Sequence, residues 1–461
     1  MRHAELNYLN KNEAISPYYP LPKKFQWGIG ISAYQTEGAT NLGGRGPSIW
    51  DNFPSSKIKG GATAERACNF YENYPIDIGM ADWLGIENFK TSISWSRILP
   101  TGRGKINREG LGFYDRVTDE LLARNIKPWY VLYHWDLPLE LQRLGGWANR
   151  ETVNYFLEYL EICHRHFGDR IDNWIVFNEP LVFVGAGNFL GIHAPGSVGL
   201  KNFLPSAHHV NLANGLGIKQ LQALGANNVG SSLSFTSIHP VDKSRGNLSA
   251  KNRFHHLVNH LFLDPILGKN YPLDELPFLY RMTPYIEPTD MNAMACNPDF
   301  IGVQVYTREV VKNHWFMPHM RARVVPAQKR KVDTTSLGQE VYPLAVREIL
   351  DWLSEHLKDL STDLFITECG ISKAETFRRH PVNDSYRISY YKEVLDSIKP
   401  HVDSERVKGM FLWSLMDNFE WAEGYTSPFG LFHVDFDTLE RNPKKSAFWI
   451  RELIGRCRNP L

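Results

Sequence analysis

The stretch Trp174-Ile175-Val176-Phe177-Asn178-Glu179-Pro180 has the pattern of a buried β-strand that ends in an amide and a carboxylate. Its first four residues are aromatic or β-branched, and Pro180 closes the strand because it has no backbone N–H for the ladder. A second stretch, Leu364-Phe365-Ile366-Thr367, has the same form and is followed by Glu368. Two strand-end glutamates suit a reaction that needs one carboxylic acid and one carboxylate.

Further strands and helices extend in both directions from these two stretches. The predicted strands cover 25–32, 88–94, 126–133, 174–180, 228–235, 300–306, 364–367 and 409–413. Between them lie helical patterns, such as Leu111, Tyr114, Val117 and Leu121 at three- and four-residue spacing, with Asn107 expected as the N-cap. Eight strands that alternate with helices predict an α/β fold, the (β/α)8 TIM barrel.

The domain organisation is predicted to be simple. No linker or low-complexity tract interrupts the pattern, so residues 1–461 are expected to form a single barrel domain, with 1–20 as an N-terminal extension. A minimal barrel needs about 250 residues, and the surplus falls in extended loops after strands, chiefly 239–298 and 307–340. Barrel enzymes place their chemistry where strands end, and both glutamates occupy such positions.

Composition excludes several classes of partner. Lys plus Arg number 51 against 50 for Asp plus Glu, so neither nucleic acid nor an anionic membrane is expected as a partner. The first 24 residues lack an apolar signal core, and no apolar run reaches the length of a membrane span. The five cysteines are odd in number and widely spaced, which predicts reduced thiols in a cytoplasmic protein.

Seven sequence motifs lie between Phe25 and Trp449. They are F-x-W-G-x-x-x-S-A-Y-Q-x-E-G from Phe25, S-I-S-W-S-R-I-L-P from Ser92, L-Y-H-W-D-L-P from Leu132, F-N-E-P from Phe177, D-F-I-G from Asp299, I-T-E from Ile366, and W-S-L-M-D-N-F-E-W-A-E-G-Y from Trp413. Through these motifs the chain resembles the first family of glycoside hydrolases, the retaining β-glucosidases and β-glycosidases. The resemblance covers nearly the whole chain.

The resemblance implies a function and a set of site residues. Glu179 matches the acid/base and Glu368 the nucleophile of a double displacement that releases terminal β-D-glucose, with β-galactosides and β-fucosides as open alternatives. The substrate is then a small carbohydrate, and no cofactor or metal is required. The residues that match the sugar pocket are Gln35, His134, Asn178, Glu420 and Trp421, with Trp413 as the stacking floor, Tyr306 beside the nucleophile, and Trp135 and Trp315 as further sugar or aglycone contacts.

The chain departs from the family pattern beside the nucleophile. Lys90 replaces an arginine and Gln304 an asparagine, while Cys369 and Gln339 replace a further asparagine and a tryptophan. Lysine keeps the positive charge but loses the planar fork of a guanidinium. Gln304 is one methylene longer than asparagine and fits the space that the guanidinium would have filled, so we interpret the two changes as a pair.

Alternative functions remain at this stage. A carbohydrate-binding homologue with impaired catalysis is consistent with Lys90 and Gln304, whereas the carboxylates of Glu420 and Glu423 oppose a phospho-β-glucosidase. His256 and His260 have the i, i+4 spacing of a helical metal pair, but no third ligand is evident, so no metal site is predicted. Glycone preference, hydrolysis against transglycosylation, and a homo-oligomeric state are left open.

Overall fold

Eight parallel strands form a closed barrel in the computed structural model, which describes residues 21–375 and 381–458. The strands are β1 (Gln26–Gly30), β2 (Asn88–Ser92), β3 (Lys127–Tyr133), β4 (Asn173–Asn178), β5 (Asn228–Ser234), β6 (Phe300–Gln304), β7 (Asp363–Cys369) and β8 (Val407–Trp413). Each strand pairs with its neighbours in the chain, and β8 closes the ring against β1. The predicted TIM barrel is confirmed, while the predicted extension 1–20 lies outside the described residues.

The helices surround the barrel. They are α1 (Phe70–Leu84), α2 (Arg108–Ala123), α3 (Glu151–Phe167), α4 (Pro180–Asn188), α5 (Leu200–Ala223), α6 (Arg245–His255), α7 (Ala345–His356), α8 (Ser385–Asp403) and α9 (Lys445–Arg458), with shorter helical segments at Ala33–Thr36, Trp95–Ile98, Leu139–Arg143, Asp290–Met294 and Ala327–Arg330. No helix in the described ranges is both long and apolar enough to cross a membrane.

Asn107 occupies the N-cap position of α2 as predicted, but its side chain does not cap the helix. Its Nδ2 donates instead to the backbone carbonyls of Gly43 and Arg97, at 2.7 and 2.9 Å. The prediction of a side-chain cap is therefore wrong, because the Asn107 amide is used to connect the start of α2 to the segments that follow β1 and β2.

The long insertions after β5 and β6 are not plain loops as predicted. The first contains α6, a π-helical turn (His256–His260) and 3₁₀ segments at Pro265–Leu267 and Pro277–Tyr285. A three-stranded sheet, formed by Ser237–Pro240, Arg308–Asn313 and Ala322–Val324, joins the two insertions. A hairpin of Phe432–Val434 and Arg441–Pro443 follows β8. These elements follow the ends of strands, where they can build walls around the barrel mouth.

The interior of the barrel is filled by side chains. Trp129 packs against the rings of Phe300, Phe365 and Phe411, with centroid distances of 5.2, 4.9 and 5.0 Å. Gly28 faces this cluster, and a Cβ at its position would lie 2.2 Å from the Phe411 ring, so only glycine fits there. Because side chains fill this interior, a substrate is expected at the carboxyl ends of the strands.

Candidate active site

A cavity of about 350 Å³ lies at the carboxyl ends of the strands. Its volume falls in the range of small-molecule sites. The predicted site residues that line it are His134, Trp135, Glu179, Gln304, Tyr306, Glu368, Trp413, Glu420 and Trp421. The ends of β3 to β8 and the segments that follow them thus contribute residues that are far apart in sequence to one chamber.

Glu368 stands near the end of β7 with a donor on each carboxyl oxygen. The Lys90 ammonium lies 2.6 Å from Oε1, and the Tyr306 hydroxyl donates to Oε2 at 2.6 Å. Burial and the negative charge of Glu368 raise the pKa of Tyr306 well above its usual value, so the phenol keeps its proton and acts as donor. Two donors, one of them cationic, therefore hold both oxygens of Glu368 in place.

Glu179 has a different environment. It follows β4 with left-handed backbone angles (φ 51°, ψ 62°) and is the residue that precedes α4. Burial and the negative charge of Glu368 raise the pKa of Glu179 well above its usual value, against the opposing charge of Lys90. The two carboxyl groups therefore interact electrostatically across the mouth, and this interaction together with burial favours the protonated form of Glu179.

The amide of Asn178 has a fixed orientation. The Lys90 Nζ donates to its Oδ1 at 2.9 Å, and the Gln304 Nε2 donates to the same atom at 2.8 Å. Because an ammonium can only donate, the carbonyl oxygen must face Lys90 and the amide Nδ2 must face His134 Nε2, at 3.2 Å. Burial and the charge of Lys90 lower the pKa of His134, so its neutral ring accepts this hydrogen bond.

Lys90 is fully buried at the centre of these contacts. Burial lowers the pKa of Lys90, and the charge of Glu368 opposes that shift. A buried cation is tolerated only when its donors are satisfied, and here Glu368 and Asn178 accept them. Lys90 therefore joins the nucleophile candidate to the amide that neighbours the acid candidate.

Aromatic rings form one wall of the cavity. Trp421 stacks on Trp135 with centroids 4.6 Å apart, and the ring of Tyr34 lies nearly parallel to it at 5.9 Å. The Trp135 Nε1 donates to the backbone carbonyl of Asn178 at 2.9 Å, which fixes this wall to the end of β4. Flat apolar faces of this kind suit the C–H faces of a sugar ring.

Glu420 and Gln35 form a polar corner. Gln35 Nε2 donates to Glu420 Oε2 at 3.3 Å and to the carbonyl of Phe419 at 3.0 Å. Burial and the charge of Glu368 raise the pKa of Glu420 to about 8. Gln35, like Lys90 and Asn178, is fully buried directly behind the lining residues rather than among them.

Trp315 is the one predicted site residue that the structure does not bring to this group. It lies between the strands Arg308–Asn313 and Ala322–Val324, its side chain is 69% exposed, and Arg321 stacks over its ring at 4.9 Å. It is not among the residues that line the cavity. The turn carries this side chain into solvent, which the sequence pattern did not reveal.

The structure also adds lining residues that sequence reasoning missed. They are Val182, His193, Ser234, Phe235, Thr236, Thr307, Leu337, Ala422 and Phe429, while Gln339 and Glu423, which the sequence had singled out without a binding role, also line the cavity. Residues 234–236 lie at the end of β5, so the strand-end rule would have found them. His193 follows α4 in an irregular segment, and nothing in its local sequence points to the site.

A TIM barrel whose mouth holds one carboxyl group with a raised pKa and one that accepts hydrogen bonds on both oxygens, beside stacked tryptophans, defines a glycoside hydrolase. The sequence matches the family Glycosyl hydrolase family 1 over residues 18–458. It is 37% identical to β-glucosidase A of Acetivibrio thermocellus, over 94% of this chain and 98% of that protein. The chain belongs to glycosyl hydrolase family 1.

Solved structures give the same result for the fold. A psychrophilic β-glucosidase from Micrococcus antarcticus superposes with a TM-score of 0.92 at 36% identity, covering 98% of this chain and all of that one. A family 1 glycoside hydrolase from Thermotoga maritima, complexed with a cyclophellitol analogue described as a transition-state mimic, gives 0.90 at 34% identity, covering 95% and 98%.

Proposed function

We propose that this enzyme hydrolyses terminal β-D-glucosides with retention, using Glu179 as acid/base and Glu368 as nucleophile. The observation that carries the assignment is the different environment of the two carboxyl groups. Lys90 and Tyr306 donate to both oxygens of Glu368, whereas burial and the charge of Glu368 raise the pKa of Glu179 and favour its protonated form. Enzymes named β-glucosidase, similar along almost the whole chain, support glucose as the glycone.

In the first step, a Glu368 oxygen attacks the anomeric carbon as the bond from that carbon to the aglycone oxygen breaks. Glu179 gives its proton to the departing oxygen, so an alcohol leaves and a glycosyl ester on Glu368 remains. In the second step, the Glu179 carboxylate takes a proton from water, and that water attacks the anomeric carbon. The ester bond breaks, and Glu368 returns as a carboxylate beside Lys90.

The proposed glycone contacts follow from the fixed groups around the cavity. The orientation set by Lys90 and Gln304 leaves the Asn178 Nδ2, beside His134, as a donor for the hydroxyl next to the anomeric carbon. Such a contact gains strength as charge develops in the transition state. Trp413 supplies a flat floor, and Glu420 offers a carboxyl oxygen to more distant hydroxyls.

A cytoplasmic location is proposed from the thiols. All five cysteines fall within the described residues, and none is paired in a disulfide. Burial raises the pKa of Cys369, next to Glu368, to about 12, so this thiol is unreactive rather than a redox group. Fractionation of the native host tests the location, and activity in an extracellular fraction would contradict it.

The test of function is turnover of aryl β-glucoside, β-galactoside and β-fucoside by the wild-type protein and by Glu368→Gln. Loss of the nucleophile is expected to lower kcat by about 1,000-fold or more on every substrate, roughly 4 kcal/mol. Glu161→Gln, which alters a helix-surface glutamate paired with Arg165, is the control and should keep full activity. A wild-type protein that binds glycosides without turnover would instead support the carbohydrate-binding alternative.

A further inference from the structure

A second group of polar side chains lies outside the active-site cavity. His260 ends the π-helical turn, Asp264 follows it, and His356 ends α7. His260 Nδ1 lies 2.8 Å from Asp264 Oδ2, and His356 Nε2 lies 2.7 Å from Asp264 Oδ1. Each of the three residues offers one potential ligand atom, and these three atoms all lie within 4.8 Å of one another.

We propose that His260, Asp264 and His356 bind a divalent transition metal ion of the zinc class. Two imidazole nitrogens and one carboxylate oxygen form a donor set that zinc accepts, with water completing the coordination. Zinc–nitrogen bonds of about 2.0–2.1 Å place tetrahedral ligands about 3.4 Å apart. The two N···O distances of 2.8 and 2.7 Å would have to open by about 0.6–0.7 Å, and atoms at the 4.8 Å limit would have to approach by about 1.4 Å, so metal binding requires all three side chains to adjust.

Metal binding would change the hydrogen bonds of the two histidines and Asp264, and it involves no change of oxidation state. Each imidazole directs one ring nitrogen at Asp264, and a ring nitrogen that hydrogen-bonds to this carboxylate does so as the donor. When the metal takes that place, the nitrogen lone pair faces the ion and the proton resides on the other ring nitrogen. The Asp264 carboxylate exchanges its two hydrogen bonds for coordination, and one water leaves the hydrated ion for each ligand that binds.

The surroundings hold the rings in place. Trp352 stacks on His356 with centroids 5.0 Å apart and meets His260 edge-on at 5.2 Å. His356 also ends α7, where the partial negative charge of the helix carboxyl end favours a cation. Aromatic packing and the helix end thus preorganise two of the three ligands.

Lys269 opposes the metal. Its Nζ lies 3.0 Å from His356 Nε2, the nitrogen that would bind the ion. The residue is exposed, so its side chain can turn into solvent when a metal binds, at a cost that weakens affinity. Removal of this ammonium should therefore tighten binding, an effect that a purely structural role for the cluster does not produce.

The site would be linked to the cavity through one residue. Asn259 precedes His260, and its side chain accepts from the backbone N–H of Thr236 and donates to the carbonyl of the same residue, at 2.9 and 3.0 Å. Thr236 lines the active-site cavity. A metal ion bound by His260 and His356 would thus connect the π-helical turn to the end of α7. Through Asn259 and Thr236, the same turn contacts the wall of the active-site cavity.

The experiment is calorimetric titration of the full-length protein with Zn²⁺, supported by the visible absorption of Co²⁺ and by melting temperatures. The variants are His356→Ala, Lys269→Ala and, as control, His166→Ala, which removes a histidine from another histidine–carboxylate pair at 2.9 Å from Asp115. Melting curves without metal verify that each variant is folded. A hundredfold excess of Zn²⁺ over Kd should raise the melting temperature by roughly 3 °C.

The proposal expects one Zn²⁺ per chain in the wild type, at least tenfold weaker binding in His356→Ala, tighter binding in Lys269→Ala, and no change in His166→Ala. Tetrahedral Co²⁺ absorption should disappear in His356→Ala alone. A wild-type protein that does not bind Zn²⁺ overturns the proposal. Equal affinity of His356→Ala and His166→Ala, or weaker binding in Lys269→Ala, overturns it as well.

Discussion

Lys90 and Gln304 donate to the same atom, Oδ1 of Asn178, at 2.9 and 2.8 Å. Lys90 also donates to Glu368 at 2.6 Å. The two residues thus share the task of orienting the Asn178 amide, and Lys90 alone links it to the proposed nucleophile. This shared acceptor gives a physical basis to the pairing of the two substitutions inferred from sequence.

The first prediction concerns that pairing. Lys90→Arg alone places a larger guanidinium beside the long Gln304 side chain, and Gln304→Asn alone leaves the Asn178 carbonyl without its second donor. Each single change should lower kcat/KM for an aryl β-glucoside, whereas the double variant should recover much of the loss. We expect a coupling energy of about 1–2 kcal/mol in the double-mutant cycle.

Melting curves for the two single variants and the double variant show whether a loss of activity comes from a destabilised fold or from a local change in the active site. Independent, additive losses would show that the two residues do not act together. A strong increase in activity from Lys90→Arg alone would also contradict the pairing, because it would mean that Gln304 already leaves room for the guanidinium.

A second prediction follows from the role of Glu179 as proton donor. A departing nitrophenolate is a stable anion and needs little protonation, whereas an alkoxide needs a full proton. Glu179→Gln should therefore lower the rate of the first step by about 10²–10⁴-fold for an alkyl β-glucoside, and far less for a dinitrophenyl β-glucoside. Rapid-mixing measurements of released phenol should show a burst, because the second step has lost its base.

The substitution suits this test because glutamine resembles the protonated carboxyl group that burial enforces at Glu179. Circular dichroism and melting temperature should consequently match the wild type. Equal losses for both leaving groups would show that Glu179 does not deliver the proton to the departing oxygen.

The third prediction concerns pH. The pKa of Glu179 is raised, so the acid form persists above the usual carboxyl range, and activity should fall as pH rises through that pKa. The charges of Glu368 and Glu420 both contribute to the upward shift. Glu420 has a pKa of about 8 and so carries this charge only on the alkaline side of the profile; Glu420→Gln removes the charge there, and the alkaline limb of kcat/KM should therefore move to lower pH.

The comparison needs only the midpoint of the alkaline limb, so a reduced rate in Glu420→Gln does not obscure it. Glu440→Gln serves as control and should leave the midpoint unchanged. Glu440 lies between the two strands of the hairpin that follows β8. An unchanged or higher midpoint in Glu420→Gln would contradict the electrostatic account.

The barrel and the two glutamates could be predicted because their signals are local. Buried strands rich in β-branched and aromatic residues identify themselves, and barrel topology then brings Glu179 and Glu368 to one mouth. The family motifs supplied most of the pocket residues in the same way, since most of these motifs lie where a strand ends. Only Trp315, on a long insertion, was placed elsewhere by the structure.

The individual hydrogen bonds between distant segments could not be predicted, although the family resemblance had paired Lys90 with Gln304. The meeting of Lys90, Asn178 and Gln304 depends on the side-chain directions of three strands. His260 showed helical spacing to His256, yet its partners are Asp264 and His356, and the second of these comes from the helix after β6. Insertions follow paths set by packing rather than by short-range pattern, so sequence periodicity does not report them.

The last prediction tests the barrel interior. Trp129 is 1% exposed, packs against three phenylalanine rings, and donates from Nε1 to Asn88 Oδ1 at 3.0 Å. Trp129→Ala opens a cavity and leaves that oxygen without its donor, so the free energy of unfolding should fall by about 3–5 kcal/mol.

The control is Trp315→Ala, which removes an exposed ring and should lower the free energy of unfolding by about 1 kcal/mol or less. Urea unfolding of the two variants measures the difference, while KM at low temperature should stay near the wild-type value because neither residue lines the cavity. Similar urea midpoints for the two variants would show that the aromatic cluster does not stabilise the barrel.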